Sequence, residues 1–225
     1  MKIHRFIGDF KLMQNELEIT GEIAHQIIKV LKLEKGEKIE LCDGKGLNAL
    51  CIIRSMRKNS LVVEVEMVGE DEVETKKVSL YCAVLKKENF ELVVQKATEC
   101  GVSKIIPIIT SRTVKTGLSI ERLKKIAKEA AEQSGRSTVP EISEPIEYIK
   151  SLEQVNGKNI LFDISGEPLK EKNYSETNIW IGPEGGWTPD EIQKAKTAGF
   201  QIASLGKNTL RGETAAIIAT YLISN

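Results

Sequence analysis

Two glycine-containing segments near the C-terminus have the residue types and spacing of loops that bind a ligand through the main chain. They read I-G-P-E-G-G at 181–186 and L-G-K-N-T-L-R-G-E-T-A at 205–215. Each follows a short apolar run and precedes a helix-like segment, so both are predicted to connect a strand to a helix. Because glycine has no Cβ, a ligand can approach the main chain closely there. The sequence contains no G-x-x-x-x-G-K-[ST] pattern, which argues against a P-loop nucleotidase.

Composition and charge exclude several classes of protein. The 225 residues contain 32 basic and 32 acidic side chains, so the formal net charge is zero. A protein that binds nucleic acid by bulk charge would be strongly basic, so any RNA contact must come from local patches. No apolar run approaches the length of a membrane span, and 1–6 lack the apolar core of a signal peptide. We therefore expect no membrane association.

The cysteines and histidines argue against a metal site. None of the four cysteines has C-x-x-C spacing, and the chain has only two histidines. A zinc site is therefore not expected. Scattered unpaired cysteines are typical of a reducing compartment, which predicts a cytoplasmic location.

Residues 1–70 predict a small β-barrel. A helix is expected to begin after Thr20, and short strands at 38–43, 47–54 and 61–68 follow it. Short strands joined by tight turns are typical of such a barrel. The G-K-G-L-N-A pattern at 44–49 matches a dinucleotide-binding fingerprint only superficially. A β-like run follows it where that motif requires a helix, so a hairpin turn is predicted.

Residues 76–225 predict an α/β domain, after a charge-rich linker at 69–77. Apolar runs and helical patterns alternate, which indicates a mostly parallel sheet covered on both faces. Thr188-Pro189-Asp190-Glu191 has the pattern of a capping box with proline at the first helical position. The predicted strands are 78–85, 105–109, 159–164, 178–181 and 201–205, and the predicted helices are 89–100, 119–134, the segment after Thr188, and 213–224.

Five segments in this order resemble a known family. Three are H-Q-I-I-K-V-L-K-L at 25–33, Q-K-A-T-E-C-G-V at 95–102 and E-Q-S-G-R-S-T-V-P at 132–140, and the two glycine-containing loops complete the set. Together they resemble the RsmE family, bacterial methyltransferases of the SPOUT superfamily that make 3-methyluridine in small-subunit (16S) ribosomal RNA. The resemblance covers essentially the whole chain.

The resemblance implies a fold and partners that periodicity does not reveal. Residues 1–70 would form a PUA-like barrel that helps to bind RNA. Residues 76–225 would form a SPOUT α/β domain threaded as a trefoil knot, which ordinary topology rules would not suggest. The enzyme would use S-adenosylmethionine bound in the knot, act as a homodimer, and modify ribosomal RNA in the assembled small subunit.

The expected cofactor site lies at the ends of three strands. S-adenosylmethionine carries no phosphate, so its adenine and ribose need backbone donors and acceptors in an apolar slot. Ligands of open α/β sheets favour the carboxyl ends of strands. The alternative is that the glycines only form tight turns. The expected cofactor-binding residues are Leu161, Phe162, Ile181, Gly182, Pro183, Glu184, Gly185, Gly186, Leu205, Gly206, Leu210, Thr214 and Ala215.

Three charged residues of the two loops are candidates for catalysis. Uracil N3 carries a proton and is a poor nucleophile until that proton is lost, so the reaction needs a base or a field that stabilises the uracil anion. Arg211 is the candidate for stabilising the anion at O2 or O4, and its alternative is a structural ion pair with Glu184 or Glu213. Glu184 and Glu213 are candidate bases, and either could equally cap helix amides.

The candidate RNA contacts are basic residues outside the loops. They are Arg5, His25, Lys29, Lys32, Lys86, Arg112 and Arg136. The spacing of His25, Lys29 and Lys32 places them on one helix face. The segment 112–136 is basic and includes Lys115, but its lysines at 124, 125 and 128 fit an ordinary solvated helix face. A uridine methylated at its pairing edge must be unpaired or extruded, and Lys86 is placed to guide it.

Two other functions compete with uridine-N3 methylation. One is methylation of a ribose 2′-hydroxyl on the same type of knot, which the segments at 25–33 and 132–140 disfavour. The other is a non-catalytic RNA-binding or ribosome-assembly factor that keeps a cofactor pocket.

Overall fold

The computed structural model describes residues 3–71, 76–114, 117–153, 156–171 and 174–225. The chain divides into two compact units. The first contains Met1–Val73 and Ala131–Val139, and the second contains Glu74–Ala130 and Pro140–Asn225. The expected linker falls partly on 72–75, which lie outside the described residues, so the division at 1–70 and 76–225 stays a prediction. No helix in the described ranges is long and apolar enough to cross a membrane.

The first unit contains one five-stranded sheet. Its strands are β1 (His4–Ile7), β2 (Glu16–Ile19), β3 (Lys38–Cys42), β4 (Leu47–Met56) and β5 (Leu61–Glu70), in the order β1-β3-β4-β5-β2. The pair β1–β3 is parallel and the other pairs are antiparallel. The three strands predicted from the sequence are confirmed. Inward-facing residues of the strands pack with Ala24 and Ile27 in one apolar core.

The turn between β3 and β4 is the predicted hairpin. Asp43 Oδ1 accepts hydrogen bonds from the Lys45 and Leu47 amides at 2.7 and 3.1 Å. Gly44 has φ +78° and Gly46 φ +122°, which is the left-handed backbone that glycine adopts without strain. No helix follows Gly46, because β4 begins at Leu47. The hairpin interpretation is therefore confirmed over the dinucleotide-binding one.

The helix of the first unit ends earlier and differently than its sequence predicts. It consists of α1 (Gly21–His25) followed by a π-turn (Gln26–Val30). The Leu31 amide donates a hydrogen bond to the Gln26 carbonyl, five residues earlier, at 2.9 Å. Lys32 follows with φ +54°. The prediction that Lys32 shares an α-helical face with His25 and Lys29 is therefore wrong. The wider turn changes the side-chain spacing, and Lys32 lies beyond the helix end.

The second unit contains a parallel sheet. Its strands are β6 (Lys77–Ala83), β7 (Lys104–Ile109), β8 (Glu141–Ile142), β9 (Ile146–Glu147), β10 (Lys158–Pro168), β11 (Glu176–Ile181) and β12 (Gln201–Ser204). The order is β12-β10-β11-β6-β7-β8, and β9 also pairs with β7. Every strand pair is parallel, as the sequence predicts.

Five helices lie within the described residues from 76 onward. They are α2 (Lys87–Glu99), α3 (Ile120–Ser134), α4 (Tyr148–Ser151), α5 (Pro189–Thr197) and α6 (Gly212–Ser224). The capping box predicted at the start of α5 is confirmed, since Thr188 Oγ1 accepts from the Glu191 amide and Glu191 Oε2 from the Thr188 amide. The sequence missed the short elements β8, β9 and α4. The trefoil knot stays a prediction.

Candidate functional site

The second unit has a cavity of about 250 Å³ at the carboxyl ends of β11 and β12 and beside residues 162–164 of β10. These three strands are parallel neighbours, so the loops that follow them meet at one edge of the sheet. The cavity is lined by Phe162, Asp163, Ile164, Ile181, Gly182, Pro183, Glu184, Gly185, Gly186, Trp187, Ser204, Leu205, Gly206, Asn208, Thr209, Leu210, Gly212 and Ala215.

The loop after β11 is held in shape by a tight turn and a buried tryptophan. The Pro183 carbonyl accepts from the Gly186 amide at 2.8 Å, and Gly186 has φ +67°. Trp187 is buried, and its Nε1 donates to the Phe162 carbonyl at 3.0 Å. A Cβ on Gly182 would lie 3.1 Å from the Trp187 ring. The loop is therefore preformed against the end of β10.

The loop after β12 also relies on glycine. Ser204 Oγ and Gly206 are joined by two hydrogen bonds, at 2.8 and 3.2 Å, and Gly206 has φ +143°. A Cβ on Gly212 would come within 2.9 Å of Leu85 Cδ2. The close approach at Gly212 brings the first turn of α6 against the segment that follows β6.

The charges on the cavity lining are all negative. Asp163 and Glu184 are the charged residues among the described lining residues, and no lysine or arginine is among them. Lys207 and Arg211 belong to the loop after β12 but are exposed and lie outside the lining. A phosphate would normally be met by cations or by amides at a helix start. The lining instead suits a ligand that is neutral or positively charged.

Two acidic side chains lie near the end of β6, and they differ in burial. Glu184 is exposed, and its Oε1 accepts from the Lys86 amide at 3.1 Å. Glu213 is only 8% exposed, and its Oε2 is buried with no hydrogen-bond partner among the described residues. Burial raises the pKa of the Cys82 thiol well above its ordinary value, and the Glu184 and Glu213 carboxylates raise it further.

Arg211 stands at the N-cap position of α6 with extended backbone. Its side chain is exposed, and within the described part of the chain it makes no ion pair and no hydrogen bond. The ion pair with Glu184 or Glu213, which the sequence left open, does not form among these residues. The guanidinium is therefore available to a ligand beside the cavity.

Arg112 lies against the loop after β11. Its Nη1 donates to the Gly185 carbonyl at 2.5 Å and more weakly to the Trp187 carbonyl at 3.5 Å. The preceding Ser111 amide donates to Glu191 Oε1 at 2.9 Å, and Glu191 also closes the capping box of α5. The side chain of Arg112 thus supports the loop and remains exposed at its outer edge.

The structure brings most of the expected cofactor residues into one cavity. Leu161 is instead fully buried in the core, and Thr214 is half-buried on α6 outside the lining. The sequence missed Asp163, Ile164, Trp187, Ser204, Asn208, Thr209 and Gly212 as lining residues. Asn208, Thr209 and Gly212 lie inside the glycine-containing loop, so that loop was signal enough for them. Nothing in the sequence pattern pointed to Asp163.

The expected RNA contacts in the first unit have different environments. His25, Lys29 and Lys32 are exposed. Arg5 already has partners within the protein, because it forms an ion pair with Glu40 at 2.9 Å and donates a hydrogen bond to the Gly135 carbonyl. Arg136 is half-buried and donates to Thr138 Oγ1 at 3.2 Å.

The remaining basic candidates lie in the second unit. Lys86 is exposed at the N-cap position of α2. The side chains of Lys124 and Lys125 are exposed on α3 and that of Lys128 is half-buried, while Lys115 lies outside the described residues. No cluster of three or more metal-binding side chains occurs within the described ranges.

Comparisons with known proteins agree with this architecture. Residues 72–224 match the family model for an RNA methyltransferase domain, and 19–66 match the model for an RNA methyltransferase PUA domain. The ribosomal RNA small subunit methyltransferase E of Rickettsia conorii is 33% identical over 97% of this chain and 94% of its own length. The protein of that name from Bacillus subtilis is 30% identical over 92% of this chain and 88% of its own.

A solved structure shows the same fold with a ligand. The crystal structure of a ribosomal RNA small subunit methyltransferase E from Neisseria gonorrhoeae contains S-adenosylmethionine. It resembles this chain with a TM-score of 0.90 and 28% identity, over 97% of this chain and 95% of that one. The expected α/β fold with an N-terminal PUA-like domain is confirmed. The chain belongs to the ribosomal RNA small subunit methyltransferase E family, the RsmE family of RNA methyltransferases.

Proposed function

We propose that this protein transfers a methyl group from S-adenosylmethionine to N3 of a uridine in 16S ribosomal RNA and so makes 3-methyluridine. The observation that carries the proposal is the preformed cavity of the second unit, whose described lining combines main chain, apolar side chains and two carboxylates and contains no lysine or arginine. Family membership supplies the RNA substrate and the reaction class.

The cavity fits S-adenosylmethionine by its chemistry. This cofactor combines a purine nucleoside with an amino-acid moiety and a sulfonium cation and carries no phosphate, so apolar walls and main-chain partners suit it. Phe162, Ile181 and Leu205 supply apolar walls, and the loops at 182–186 and 206–210 supply main-chain donors and acceptors. When bound, the cofactor supplies an electrophilic methyl group.

The protein must place the acceptor nitrogen in line with that methyl group and remove its proton. Positioning of two reactants contributes a large part of the rate in such a displacement. Arg211 is proposed to stabilise the uracil anion, which its exposed side chain beside the cavity supports. Glu213 is proposed to accept the N3 proton, because its buried Oε2 has no other partner in the described chain. Glu184 is proposed to have a structural role, because it accepts a hydrogen bond from the Lys86 amide.

Ribosomal RNA is proposed to contact both units. The exposed side chains of His25, Lys29 and Lys32 support a contact through the PUA-like unit. Lys86 and Arg112 are proposed to contact RNA near the methylated base, and Arg136 is proposed to contact RNA from the first unit. The pairing of Arg5 with Glu40 favours a structural role for Arg5. We further propose the assembled small subunit as substrate and the cytoplasm as location.

A homodimer is proposed through the C-terminal helix. On α6, Ile218 is 36% and Tyr221 57% exposed, and Leu92 on the adjacent helix α2 is 38% exposed. Exposed apolar side chains on two packed helices favour association. We expect Tyr221→Asp to raise the dimer dissociation constant by more than about tenfold, because it would bury a charge in the interface. Light scattering across a dilution series measures this, and Met67→Asp, at an exposed apolar site in the first unit, is the control. An unchanged dissociation constant for Tyr221→Asp would remove α6 from the interface.

The preformed loop makes a second prediction. Gly182→Ala would place a Cβ 3.1 Å from the Trp187 ring and force the loop to shift. We expect the affinity for S-adenosylmethionine to fall by about tenfold and the free energy of unfolding by about 1–3 kcal/mol. Calorimetric titration and thermal unfolding measure the two effects. Gly117→Ala is the control, because a Cβ there meets nothing within 4 Å. Equal affinities for both variants would mean that the loop shape does not govern binding.

The reaction itself is tested with small ribosomal subunits that lack native modification. The subunits are incubated with the protein and labelled S-adenosylmethionine, and the digested RNA is analysed by mass spectrometry. Label in 3-methyluridine is expected. Label on a ribose would replace the proposal with 2′-O-methylation, and cofactor binding without any label would indicate a non-catalytic factor.

A further inference from the structure

One acidic residue of the cavity has no part in the function proposed above. Asp163 follows Phe162 in β10, where the strand bulges out of the sheet. Ala203 of β12 is the register partner of Phe162 and again of Glu167, so residues 163–166 leave the regular pairing. A Cβ on Gly166 would come within 2.5 Å of the Ala203 carbonyl carbon, so the bulge depends on glycine there. Bulges beside a site commonly redirect a side chain.

The carboxylate of Asp163 is fixed in place by one of its two oxygens. Oδ1 accepts from the Ser165 amide at 2.9 Å and from Ser165 Oγ at 2.5 Å. Within the described chain, Oδ2 has no hydrogen-bond donor and the carboxylate has no ion-pair partner. Asp163 is half-buried and lines the cavity. Its charge is therefore held at the cavity, and no cation among the described residues pairs with it.

The other acidic residue of the lining is less available. Glu184 is exposed and already accepts from the Lys86 amide. Lys207 and Arg211 belong to the loop after β12, which forms part of the lining, but neither lines the cavity. Asp163 is thus the negative charge that a cation bound in this cavity would meet without competition.

We propose that Asp163 makes the cavity prefer the positively charged methyl donor to the product, and so promotes release of the product. This inference rests on the proposed function. Methyl transfer leaves the sulfur neutral, because the electron pair of the broken carbon–sulfur bond stays on it. The product differs from the donor by the lost methyl group and by the lost positive charge on sulfur, so a fixed carboxylate is a means of telling them apart by charge.

The size of the effect follows from the exposure of Asp163. A half-buried charge pair is screened less than a surface pair and more than a buried one. We therefore expect Asp163→Asn to weaken binding of S-adenosylmethionine about three- to tenfold and to leave binding of S-adenosylhomocysteine nearly unchanged. Asparagine keeps the Oδ1 acceptor for Ser165, so the bulge should persist.

The test measures binding of both ligands to the full-length protein by calorimetry. A third ligand, an analogue with an ammonium-bearing carbon in place of the sulfonium, should follow the methyl donor. Glu167→Gln is the matched control, since it removes the same charge from the same strand at an exposed position outside the lining. In the unsubstituted protein, added salt should lower the affinity for the methyl donor more than the affinity for the product.

Other outcomes contradict the inference in different ways. If Asp163→Asn lowered the affinity for both ligands equally, Asp163 would contact a part of the molecule that the two ligands share. No change in either affinity, or a salt series that affects both ligands equally, would also overturn the inference. Failure of the unsubstituted protein to bind either ligand would instead contradict the proposed function.

Discussion

Replacing Arg211 with alanine is expected to lower the single-turnover rate of methylation about 10²- to 10³-fold, with little change in affinity for S-adenosylmethionine. Arg211 is exposed at the start of α6 and has no partner in the described part of the chain. It lies in the loop after β12 but outside the cavity lining, so its loss should spare the cofactor. The guanidinium would act only on charge that develops on the uracil during the reaction. Removing it should therefore lower the rate without changing cofactor affinity.

Lys207→Ala is the matched control for this prediction. Lys207 lies four residues earlier in the same loop and is also an exposed cation outside the lining. It should leave the rate within a small factor of the unsubstituted protein. Arg211→Lys should recover part of the rate, because it keeps the charge but loses the planar fork of donors. Equal rates for Arg211→Ala and Lys207→Ala would assign Arg211 to the surface and remove it from the mechanism.

Much of the cavity was predictable because its walls are continuous in sequence. The loops at 181–186 and 205–215 each carry their own glycines and each follow an apolar strand, so local patterns place them at strand ends. Parallel pairing then brings the loops together. Leu161 was misplaced because a buried strand shows no alternation to tell cavity from core.

The parts that escaped prediction depend on contacts between distant residues. The hydrogen bond from Trp187 Nε1 to the Phe162 carbonyl joins the loop after β11 to strand β10, which no local pattern relates. The bulge that presents Asp163 arises from the pairing of β10 with β12, and a register shift leaves no trace in the periodicity of one strand. The π-turn before Leu31 likewise has the composition of an ordinary helix, so the position of Lys32 could not be derived from spacing.

Replacing Glu213 with glutamine is expected to lower the methylation rate about 10²-fold or more while the protein stays as stable or becomes more stable. Glu213 is 8% exposed, and its Oε2 is buried without a hydrogen-bond partner among the residues that the structure describes. A buried carboxylate oxygen with no donor costs free energy, so neutral glutamine should not weaken the fold. The substitution also removes a negative charge from the first turn of α6, where such a charge is stabilising. This loss offsets part of the gain in stability. Loss of rate without loss of stability separates a functional carboxylate from a structural one.

The pH dependence provides the sharper test of Glu213. If Glu213 accepts the N3 proton, the rate of the glutamine variant should rise with pH, because uracil loses that proton unaided in alkaline solution. The rate of the unsubstituted protein should rise less over the same range. Glu184→Gln is the control, since an amide oxygen can still accept from the Lys86 amide and the pH profile should remain that of the unsubstituted protein. If the two glutamine variants had the same pH profile, deprotonation by Glu213 would be ruled out, and stabilisation of the anion by Arg211 would have to account for the chemistry alone.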